Sequence, residues 1–344
     1  MRIAHVIWSM RTGGVETMLV DILNEQVKNC KVRVFVVNDY YDSDLLDRID
    51  KKVKIILLNR MPGCQSLWPA IRLNALLMIF RPDVIHCHQG NMASLVRVPF
   101  KKVLTIHNTH TKSDFLGRYD RLFCISNAVK ECVAQQGFPN GIVVYNGIHT
   151  DKIAVKDYLQ KTEEITKRLV CVGRLYKDKG QRLLIEAVNE LVSRRHQTEF
   201  IIDLIGDGEE REGLEKLVEV MGLRDYVKFL GKKPRSWLYP RLKDYDLFVM
   251  PSISEGFGLT LAEACAAKIS VLTCDLAGPV EVIDGGRLGD TFKSGDAMAL
   301  ADGIERFLID GTNQSRIEAA YEFVKKNFDV KRTAQQYIEQ YETL

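Results

Sequence analysis

Short runs of β-branched and apolar residues alternate with longer amphipathic stretches along the whole chain. In the first half, strands are predicted at 2–7, 31–38, 54–59, 83–88, 103–108, 121–126 and 142–147, and helices at 16–28, 66–80 and 127–137. In the second half, strands are predicted at 168–175, 200–208, 226–231, 246–250 and 270–275, and helices at 181–195, 210–222, 259–268 and throughout 296–344. Strands that alternate with helices at this spacing predict an α/β protein with parallel, doubly wound sheets.

A polar stretch at 150–167 interrupts this alternation. The chain of 344 residues is too long for one ordinary hydrophobic core and long enough for two. We therefore predict two Rossmann-like domains, at 1–155 and 156–325, followed by a helical segment at 326–344. The cleft between the domains would lie at the carboxyl ends of both sheets, which is where sheets of this type bind ligands.

Composition narrows the class of protein. The sequence is 46% hydrophobic and 27% charged, as in soluble globular proteins. No stretch approaches the roughly 20 apolar residues of a membrane span, and the first apolar run is too short for a signal peptide. The eight cysteines never form CxxC and fall mostly in strand-like or helix-like runs, where a reduced thiol packs as a small hydrophobe. This favours a reducing cytoplasm.

The net charge of +3 conceals an asymmetry. Residues 1–150 carry 19 Lys and Arg against 12 Asp and Glu, whereas residues 151–344 carry 29 against 33. A basic first half fits an anionic partner on that side, either a phosphate-bearing substrate or an anionic membrane surface. Uneven solvation of surface charge explains the asymmetry equally well. We expect no nucleic-acid partner.

The stretch SISEGFGLTLAEA at 252–264 follows a predicted strand, so it forms a loop and the start of a helix. Its glycines let the backbone approach a ligand, and the N–H groups near Gly258, Leu259 and Thr260 would present the positive end of a helix to a phosphate. Glu255 precedes this turn and Glu263 lies about one turn into the helix. In a sugar nucleotide, the diphosphate would bind these amides and the hydroxyls would donate hydrogen bonds to the carboxylates. The alternative is a glycine-rich loop with a capping glutamate.

The stretch GRLYKDKG at 173–180 lies at the end of another predicted strand. Arg174 and Lys179 could both reach one diphosphate, the first as a fixed guanidinium and the second as a mobile ammonium. Basic residues commonly line such loops, so this signal is weak by itself. It gains weight beside Glu255, because we expect both loops to meet at one sheet edge.

Two features of the first half would face the cleft. The stretch MRTGGVE at 10–16 is neither GxGxxG nor GxxxxGK[ST], so it predicts a tight loop at Gly13 and Gly14 rather than a dinucleotide site or P-loop. His107 ends a predicted strand, which raises its chance of a functional role, although a lone histidine is often structural.

Other patterns favour structural roles. His86 and His88 share one strand face, but no Asp, Glu or Cys completes a metal site, so we favour packing and hydrogen bonding. The DxD at Asp42–Asp44 precedes a helical run and is interpreted as an N-cap. The apolar helix at 66–80 is interpreted as a buried crossover helix, with an interfacial membrane helix as the alternative. We expect no metal.

Taken together, GGVE, GRLYKDKG, GDGEER and EGFGLTLAEA resemble the motifs of the retaining glycosyltransferases of family 4, the group 1 glycosyltransferases. The resemblance spans nearly the whole chain in the same order, and Glu255 and Glu263 fit the family's E-x7-E signature. It implies the GT-B fold, in which two Rossmann-like domains face a central cleft. It also implies that the last helix crosses back to the first domain.

The resemblance also implies roles for individual residues. A nucleotide-diphosphate sugar would bind the second domain as the donor substrate, with no cofactor, and the acceptor would bind the first. Arg174 and Lys179 would neutralise the diphosphate leaving group. The transferred sugar and its phosphate would be held by Glu255 and by the backbone of Gly256, Phe257, Gly258, Leu259 and Thr260. Glu263 would bind the ribose, and Gly13 and Gly14 would approach the diphosphate. His107 would contact the donor sugar.

The implied reaction is hexosyl transfer with retention, without metal, by front-face attack in which the departing phosphate helps to deprotonate the acceptor hydroxyl. The basic first half fits a glycan or lipid-linked acceptor in bacterial-type surface polysaccharide assembly. The protein would be cytoplasmic, and peripheral binding to the inner face of the plasma membrane stays open.

Three other functions compete. An epimerase or hydrolase of the same fold would need acid/base carboxylates in the first domain, where none is evident. A non-catalytic nucleotide-sugar-binding protein would not need to keep Arg174, Lys179, Glu255 and Glu263. A nicotinamide-dependent dehydrogenase is disfavoured by the missing GxGxxG.

Overall fold

The computed structural model describes residues 1–11, 13–61, 63–159 and 166–344, without the side chain of Ser113. Thr12 of the MRTGGVE stretch and residues 160–165 of the polar stretch lie outside this description. The described chain forms two compact units, Met1–Ile148 with Phe328–Leu344, and His149–Asn327.

The first unit contains a seven-stranded parallel sheet. Its strands are β1 (Arg2–Ile7), β2 (Lys31–Asn38), β3 (Lys54–Arg60), β4 (Val84–Cys87), β5 (Lys101–Ile106), β6 (Arg121–Cys124) and β7 (Ile142–Val143), in the order β3-β2-β1-β4-β5-β6-β7. Its helices are α1 (Gly14–Gln26), α2 (Ser43–Leu46), α3 (Trp68–Phe80) and α4 (Asn127–Gln135). The strand order reverses between β1 and β4, which places the sheet's switch point there.

The second unit contains a six-stranded parallel sheet. Its strands are β8 (Lys167–Val172), β9 (Phe200–Ile205), β10 (Val227–Gly231), β11 (Leu247–Met250), β12 (Ser270–Cys274) and β13 (Asp290–Phe292), in the order β10-β9-β8-β11-β12-β13. Its helices are α5 (Gln181–Ser193), α6 (Arg211–Val220), α7 (Arg235–Leu238), α8 (Leu259–Ala266), α9 (Ala277–Val282), α10 (Ala297–Asp310) and α11 (Gln314–Asn327). The switch point lies between β8 and β11.

The last helix, α12 (Val330–Glu342), belongs to the first unit. It packs against α1, and Val330 donates a backbone hydrogen bond to Ile148 at 2.9 Å. Tyr337 and Tyr341 are buried in the same core as Ile3, Met18 and Phe123. Aromatic burial on this scale fixes the end of the chain to the first sheet.

The prediction of two doubly wound parallel sheets is confirmed. Among short elements, the predicted strand at 142–147 contracts to Ile142–Val143, and β13 was not predicted because three residues carry no periodic signal. Asp42 caps α2 as predicted, since its side chain accepts a hydrogen bond from the Asp44 N–H at 3.1 Å.

The prediction for 66–80 is wrong about burial. The helix α3 does connect β3 to β4, but only Leu73, Leu77 and Phe80 are buried in it. Large apolar side chains cover its outer face, among them Trp68 at 67% exposure and Ile79 at 75%. A sequence that is apolar all round a helix predicts burial, and nothing in its periodicity tells which neighbour would cover the second face.

Candidate active site

Two loops of the second unit join at the switch point of its sheet. The loop after β8 contains Lys177–Lys179, and the loop after β11 runs from Pro251 into α8. The N–H groups of Ile253 and Ser254 both donate to the carbonyl oxygen of Asp178, at 2.9 and 3.2 Å. The two stretches predicted from sequence to meet at one sheet edge are therefore hydrogen-bonded to each other.

A glycine makes this close approach feasible. Gly180 has φ of +70°, and a Cβ atom added there would lie 1.9 Å from the carbonyl oxygen of Pro251. Any larger residue would push the two loops apart and strain the left-handed backbone. Gly180 also precedes α5, so the same residue ends the first loop and begins the next helix.

Lys179 and Glu255 form an ion pair across the joined loops. Lys179 Nζ lies 2.8 Å from Glu255 Oε2 and 3.6 Å from a carboxylate oxygen of Asp178. The side chains of Lys179 and Glu255 are 19% and 21% exposed, so both are partly accessible. The other oxygen of Glu255 accepts a hydrogen bond from the Gly256 N–H at 3.2 Å, which orients the carboxylate beside the start of α8.

The start of α8 has the features of an anion site. Gly258 precedes it with φ of +105°, and no side chain caps the helix. The first-turn N–H groups of an α-helix have no partner within the helix and carry its positive partial charge. Phe257 is buried beneath this turn, which fixes the backbone of the loop.

Arg174 is exposed beside the same edge. Its guanidinium lies 4.9 Å from the centre of the Tyr176 ring, and its carbonyl oxygen accepts a hydrogen bond from Gln181 at 3.0 Å. Stacking on an aromatic ring limits the orientations of an arginine without neutralising its charge. Arg174 is thus held at the edge with its cationic end open to an anion.

Glu263 is buried and has partners that the sequence did not reveal. Its side chain is 3% exposed, and its Oε1 accepts a hydrogen bond from the Tyr239 hydroxyl at 2.8 Å and contacts Arg235 at 3.0 Å. No pattern in the sequence links Arg235 to Glu263. Because Oε1 already has two donors, Oε2 is the oxygen left for a ligand.

In the first unit, the predicted residues lie at the corresponding sheet edge. Gly13 precedes α1 and Gly14 is its first residue, at the end of the segment that links β1 to α1. A Cβ atom on Gly13 would lie 2.5 Å from a carboxylate oxygen of Glu16, whose flexible side chain would have to move. His107 follows β5 directly, as predicted.

A cluster of three buried histidines and one half-buried histidine, His107, occupies the switch point of the first sheet. His5 on β1 is in register with His86 on β4, and His88 and His107 follow the ends of β4 and β5. The ring of His88 stacks on those of His86 and His107, with ring centroids 4.6 and 5.6 Å apart. Burial lowers the pKa of His5 and of His107 to about 4, so both are neutral at pH 7.

Three of these histidines have the spacing of metal ligands, but hydrogen bonds occupy their nitrogens. His5, His86 and His88 bring one nitrogen each within 4.8 Å of one another. Both nitrogens of His86 have partners, the Tyr341 hydroxyl at 2.5 Å and Thr105 at 2.6 Å. Both nitrogens of His5 and of His88 are also hydrogen-bonded. These contacts favour the hydrogen-bonding interpretation over a metal site.

Comparison with known proteins identifies the family. Residues 157–323 match the model of "Glycosyl transferases group 1", and residues 12–152 match that of "Glycosyltransferase Family 4". The chain belongs to the family 4, group 1 glycosyltransferases. The predicted family and the GT-B fold are confirmed.

Individual relatives agree with this assignment. The phosphatidyl-myo-inositol mannosyltransferase of Mycobacterium leprae is 25% identical over 280 residues, which are 76% of this chain and 74% of that protein. The lipopolysaccharide core biosynthesis mannosyltransferase LpcC of Rhizobium leguminosarum is 28% identical over 313 residues, 82% and 85% of the two chains. The Anabaena HepE structure in complex with UDP covers 100% of both chains, with a TM-score of 0.84 and 20% identity, and shares the fold.

Proposed function

We propose that this glycosyltransferase moves a hexose, with retention, from a nucleoside-diphosphate sugar to a hydroxyl of a glycan or lipid-linked acceptor. The observation that supports this most is the joining of the two loops at the switch point of the second sheet. That junction brings Lys179 to Glu255 just before α8, and Arg174 lies on the same loop as Lys179. The lipid and lipopolysaccharide activities of the relatives LpcC and the M. leprae mannosyltransferase favour a role in surface polysaccharide assembly.

The donor would be bound by groups of matching charge. The first turn of α8 and the cations of Arg174 and Lys179 suit the diphosphate, and Oε2 of Glu263 suits a ribose hydroxyl. Lys179 is paired with Glu255 at 2.8 Å, so a bound diphosphate would share its ammonium with that carboxylate. Glu255, freed in part, would accept a hydrogen bond from the transferred sugar.

The residues support a front-face mechanism without a metal. The bond between the anomeric carbon and the diphosphate oxygen breaks, and the acceptor oxygen bonds to the same face of that carbon. The acceptor proton passes to the departing phosphate. Arg174 and Lys179 stabilise the charge that develops on the leaving group. Electrostatic stabilisation by fixed charges is usually the largest single contribution to catalysis. We expect activity to persist in a chelator.

Transfer from labelled donors tests this proposal. The purified protein would be incubated in chelator with UDP-, GDP- or ADP-sugars and with lipid or oligosaccharide acceptors, and the labelled product analysed by NMR. We expect one nucleotide class to support transfer, with the anomeric configuration of the donor kept in the product. An inverted product would contradict the mechanism. Interconversion of the sugar nucleotide without transfer would instead favour an epimerase.

The helix α3 supports a second part of the proposal, which concerns where the acceptor is met. Its exposed positions recur with helical spacing and form one stripe. The stripe consists of Trp68, Ile71, Arg72, Ala75, Met78 and Ile79. Met61 and Leu67, just before the helix, are also exposed, at 64% and 74%. Contiguous apolar surface of this kind on a folded protein marks an interaction site.

Charge favours an anionic membrane as the partner of this stripe. Residues 51–82 contain six lysines and arginines and no Asp or Glu. A helix with an apolar face and basic residues binds in the interface of an anionic bilayer, with the cations near the lipid headgroups. No helix among the described residues is both long and apolar enough to cross a bilayer. We therefore propose a cytoplasmic protein that binds the inner face of the plasma membrane through α3.

Vesicle sedimentation tests this binding. The intact protein should sediment with vesicles that contain phosphatidylglycerol and largely stay in solution with pure phosphatidylcholine. The double variant Ile71→Ser and Ile79→Ser should lose most of this binding. The matched control is Val220→Ser, which alters a side chain that is 84% exposed in the second unit. Equal partitioning of all three proteins would overturn the membrane proposal but leave the transfer proposal intact.

A further inference from the structure

The buried polar side chains of the first unit form a continuous hydrogen-bonded row that ends at His107. Gln26 Oε1 lies 2.8 Å from His5 Nε2, and His5 Nδ1 lies 3.1 Å from His88 Nε2. His88 Nδ1 lies 3.4 Å from His107 Nε2. His107 Nδ1 is buried and has no hydrogen-bond partner among the residues that the structure describes. At one end of the row, Gln26 has a further partner in Tyr341, whereas at the other end His107 Nδ1 has none among the described residues.

Gln26 sets the direction of the row. Its amide nitrogen faces the Tyr341 hydroxyl at 3.5 Å, and its carbonyl oxygen faces His5. A carbonyl oxygen only accepts hydrogen bonds, so His5 Nε2 must carry the hydrogen. A neutral imidazole has one N–H and one lone pair, so His5 Nδ1 is an acceptor. Gln26 is fully buried on α1, where no water competes for this contact.

The same rule fixes which ring nitrogens of His88 and His107 carry a hydrogen. Because His5 Nδ1 accepts, His88 Nε2 carries a hydrogen and His88 Nδ1 accepts. His107 Nε2 then donates to His88, and His107 Nδ1 is left with a lone pair. The row depends on neutral rings, and burial, together with the neighbouring histidines, lowers the pKa of His88 well below its usual value.

We propose that Gln26, His5 and His88 are positioning residues that hold His107 as the Nε2–H tautomer, so that its Nδ1 accepts a hydrogen bond from a hydroxyl of the donor sugar. This rests on the proposed function for the identity of the hydroxyl, but the tautomer itself does not. An unpartnered buried acceptor carries a desolvation cost that a hydroxyl donor removes. The opposite tautomer would present an N–H, which would repel the hydrogen of that hydroxyl and suit only its oxygen.

NMR of the full-length protein labelled with ¹⁵N at its histidines tests the tautomer directly. Two-bond correlations distinguish a protonated from an unprotonated ring nitrogen, and the exposed His196 provides a reference for an unrestrained ring. We expect His5, His88 and His107 each to show the Nε2–H tautomer. An Nδ1–H tautomer at His107 would overturn the proposal even if sugar transfer is confirmed.

Variants of Gln26 test whether the row matters for the donor. Gln26→Met keeps the shape but removes the acceptor, whereas Gln26→Glu keeps an acceptor oxygen. With a series of monodeoxy donors, we expect the intact protein to prefer the complete donor over one analogue by about three- to tenfold in kcat/KM, the range of one neutral hydrogen bond. Gln26→Met should lose this preference together with the fixed tautomer, and Gln26→Glu should restore both.

The outcomes separate this proposal from the proposed function. If Gln26→Met changes the tautomer of His107 but leaves the preference for the complete donor unchanged, His107 Nδ1 does not receive a sugar hydroxyl and the proposal fails. If no nucleotide sugar is a substrate, the proposed function fails, whereas the wild-type spectrum still decides the tautomer. Should Gln26→Met not fold, the wild-type spectrum and the analogue series with Gln26→Glu carry the test.

Discussion

The carboxyl edges of the two sheets use opposite kinds of polar group. The edge of the second unit has charged side chains, among them Arg174, Lys179 and Glu255, and an ion pair that is partly exposed. The edge of the first unit has neutral buried histidines whose pKa values are lowered. Under the proposed function, the edge of the second unit would supply charge to the leaving group, and the edge of the first unit would supply hydrogen bonds of fixed direction to neutral hydroxyls.

Removing charge at the second edge should have the largest effect. Arg174→Ala should lower the transfer rate by about 100-fold or more, the scale of losing one fixed stabilising group in other active sites. The rate constant for transfer at saturating donor measures this. Arg182→Ala, which removes an exposed arginine on α5 in the same unit, is the control. A normal rate in Arg174→Ala would remove the basis of the proposed charge stabilisation.

Removing the buried carboxylate should weaken donor binding less than the loss of Arg174 slows transfer. Glu263→Gln keeps the shape of the side chain but removes its charge, so we expect nucleotide affinity to fall on the order of tenfold, as for a hydrogen bond to a charged group. Calorimetric titration with the nucleoside diphosphate measures this affinity. Glu212→Gln alters an exposed carboxylate of α6 as a control. Equal affinity in the two variants would remove Glu263 from the site.

The partner of Glu263 should contribute through orientation. Arg235→Met removes the cation beside buried Glu263 and keeps the Tyr239 hydroxyl as a donor to Oε1. We therefore expect a lower free energy of unfolding, by about 1–3 kcal/mol, and a few-fold loss in nucleotide affinity. Denaturant unfolding and the same titration give the two numbers. Arg241→Met, at an exposed arginine, is the control. Equal free energies of unfolding and equal nucleotide affinities in the two variants would show that the ion pair of Arg235 with Glu263 is incidental.

The neutral edge should be visible in the pH dependence of stability. In the folded protein the pKa of His5 and His107 is about 4, against about 6.5 in an unfolded chain. Between these values the unfolded chain binds more protons, so the free energy of unfolding decreases as pH falls below 6.5. We expect a slope on the order of 1.4 kcal/mol per pH unit for each such histidine between pH 6 and 5. A free energy of unfolding that is flat over this range would contradict the neutral cluster.

The sequence predicted the charged edge better than the neutral one, for a physical reason. Arg174, Lys179 and Glu255 lie in loops that follow strands, and Glu263 lies in the helix that begins after one of these loops. The carboxyl ends of parallel strands meet at one edge whatever the rest of the fold does. Arg235 and Tyr239 escaped prediction because they reach Glu263 from a separate segment, 28 and 24 residues earlier in the chain. Such contacts leave no local pattern.

The histidine row was only partly visible in the sequence. His86 and His88 drew attention because they share one strand face, and His107 because it ends a predicted strand. His5 lies inside β1 and Gln26 ends α1, so neither carries a signal of its own. Their connection depends on the pairing of β1 with β4, which places His5 beside His86. The exposure of α3 was likewise hidden, since apolar residues on all sides of a helix do not show which side is covered.

We propose that the charged edge of the second unit binds a nucleoside-diphosphate sugar without a metal. The most direct test of this binding is the thermal unfolding midpoint in chelator with UDP, GDP, ADP and their sugar conjugates, for the intact protein, Glu263→Gln and Glu212→Gln. We expect a higher midpoint with one nucleotide class, kept in Glu212→Gln and reduced in Glu263→Gln. A midpoint that no nucleotide raises, or that rises only when a divalent metal is added, would contradict it.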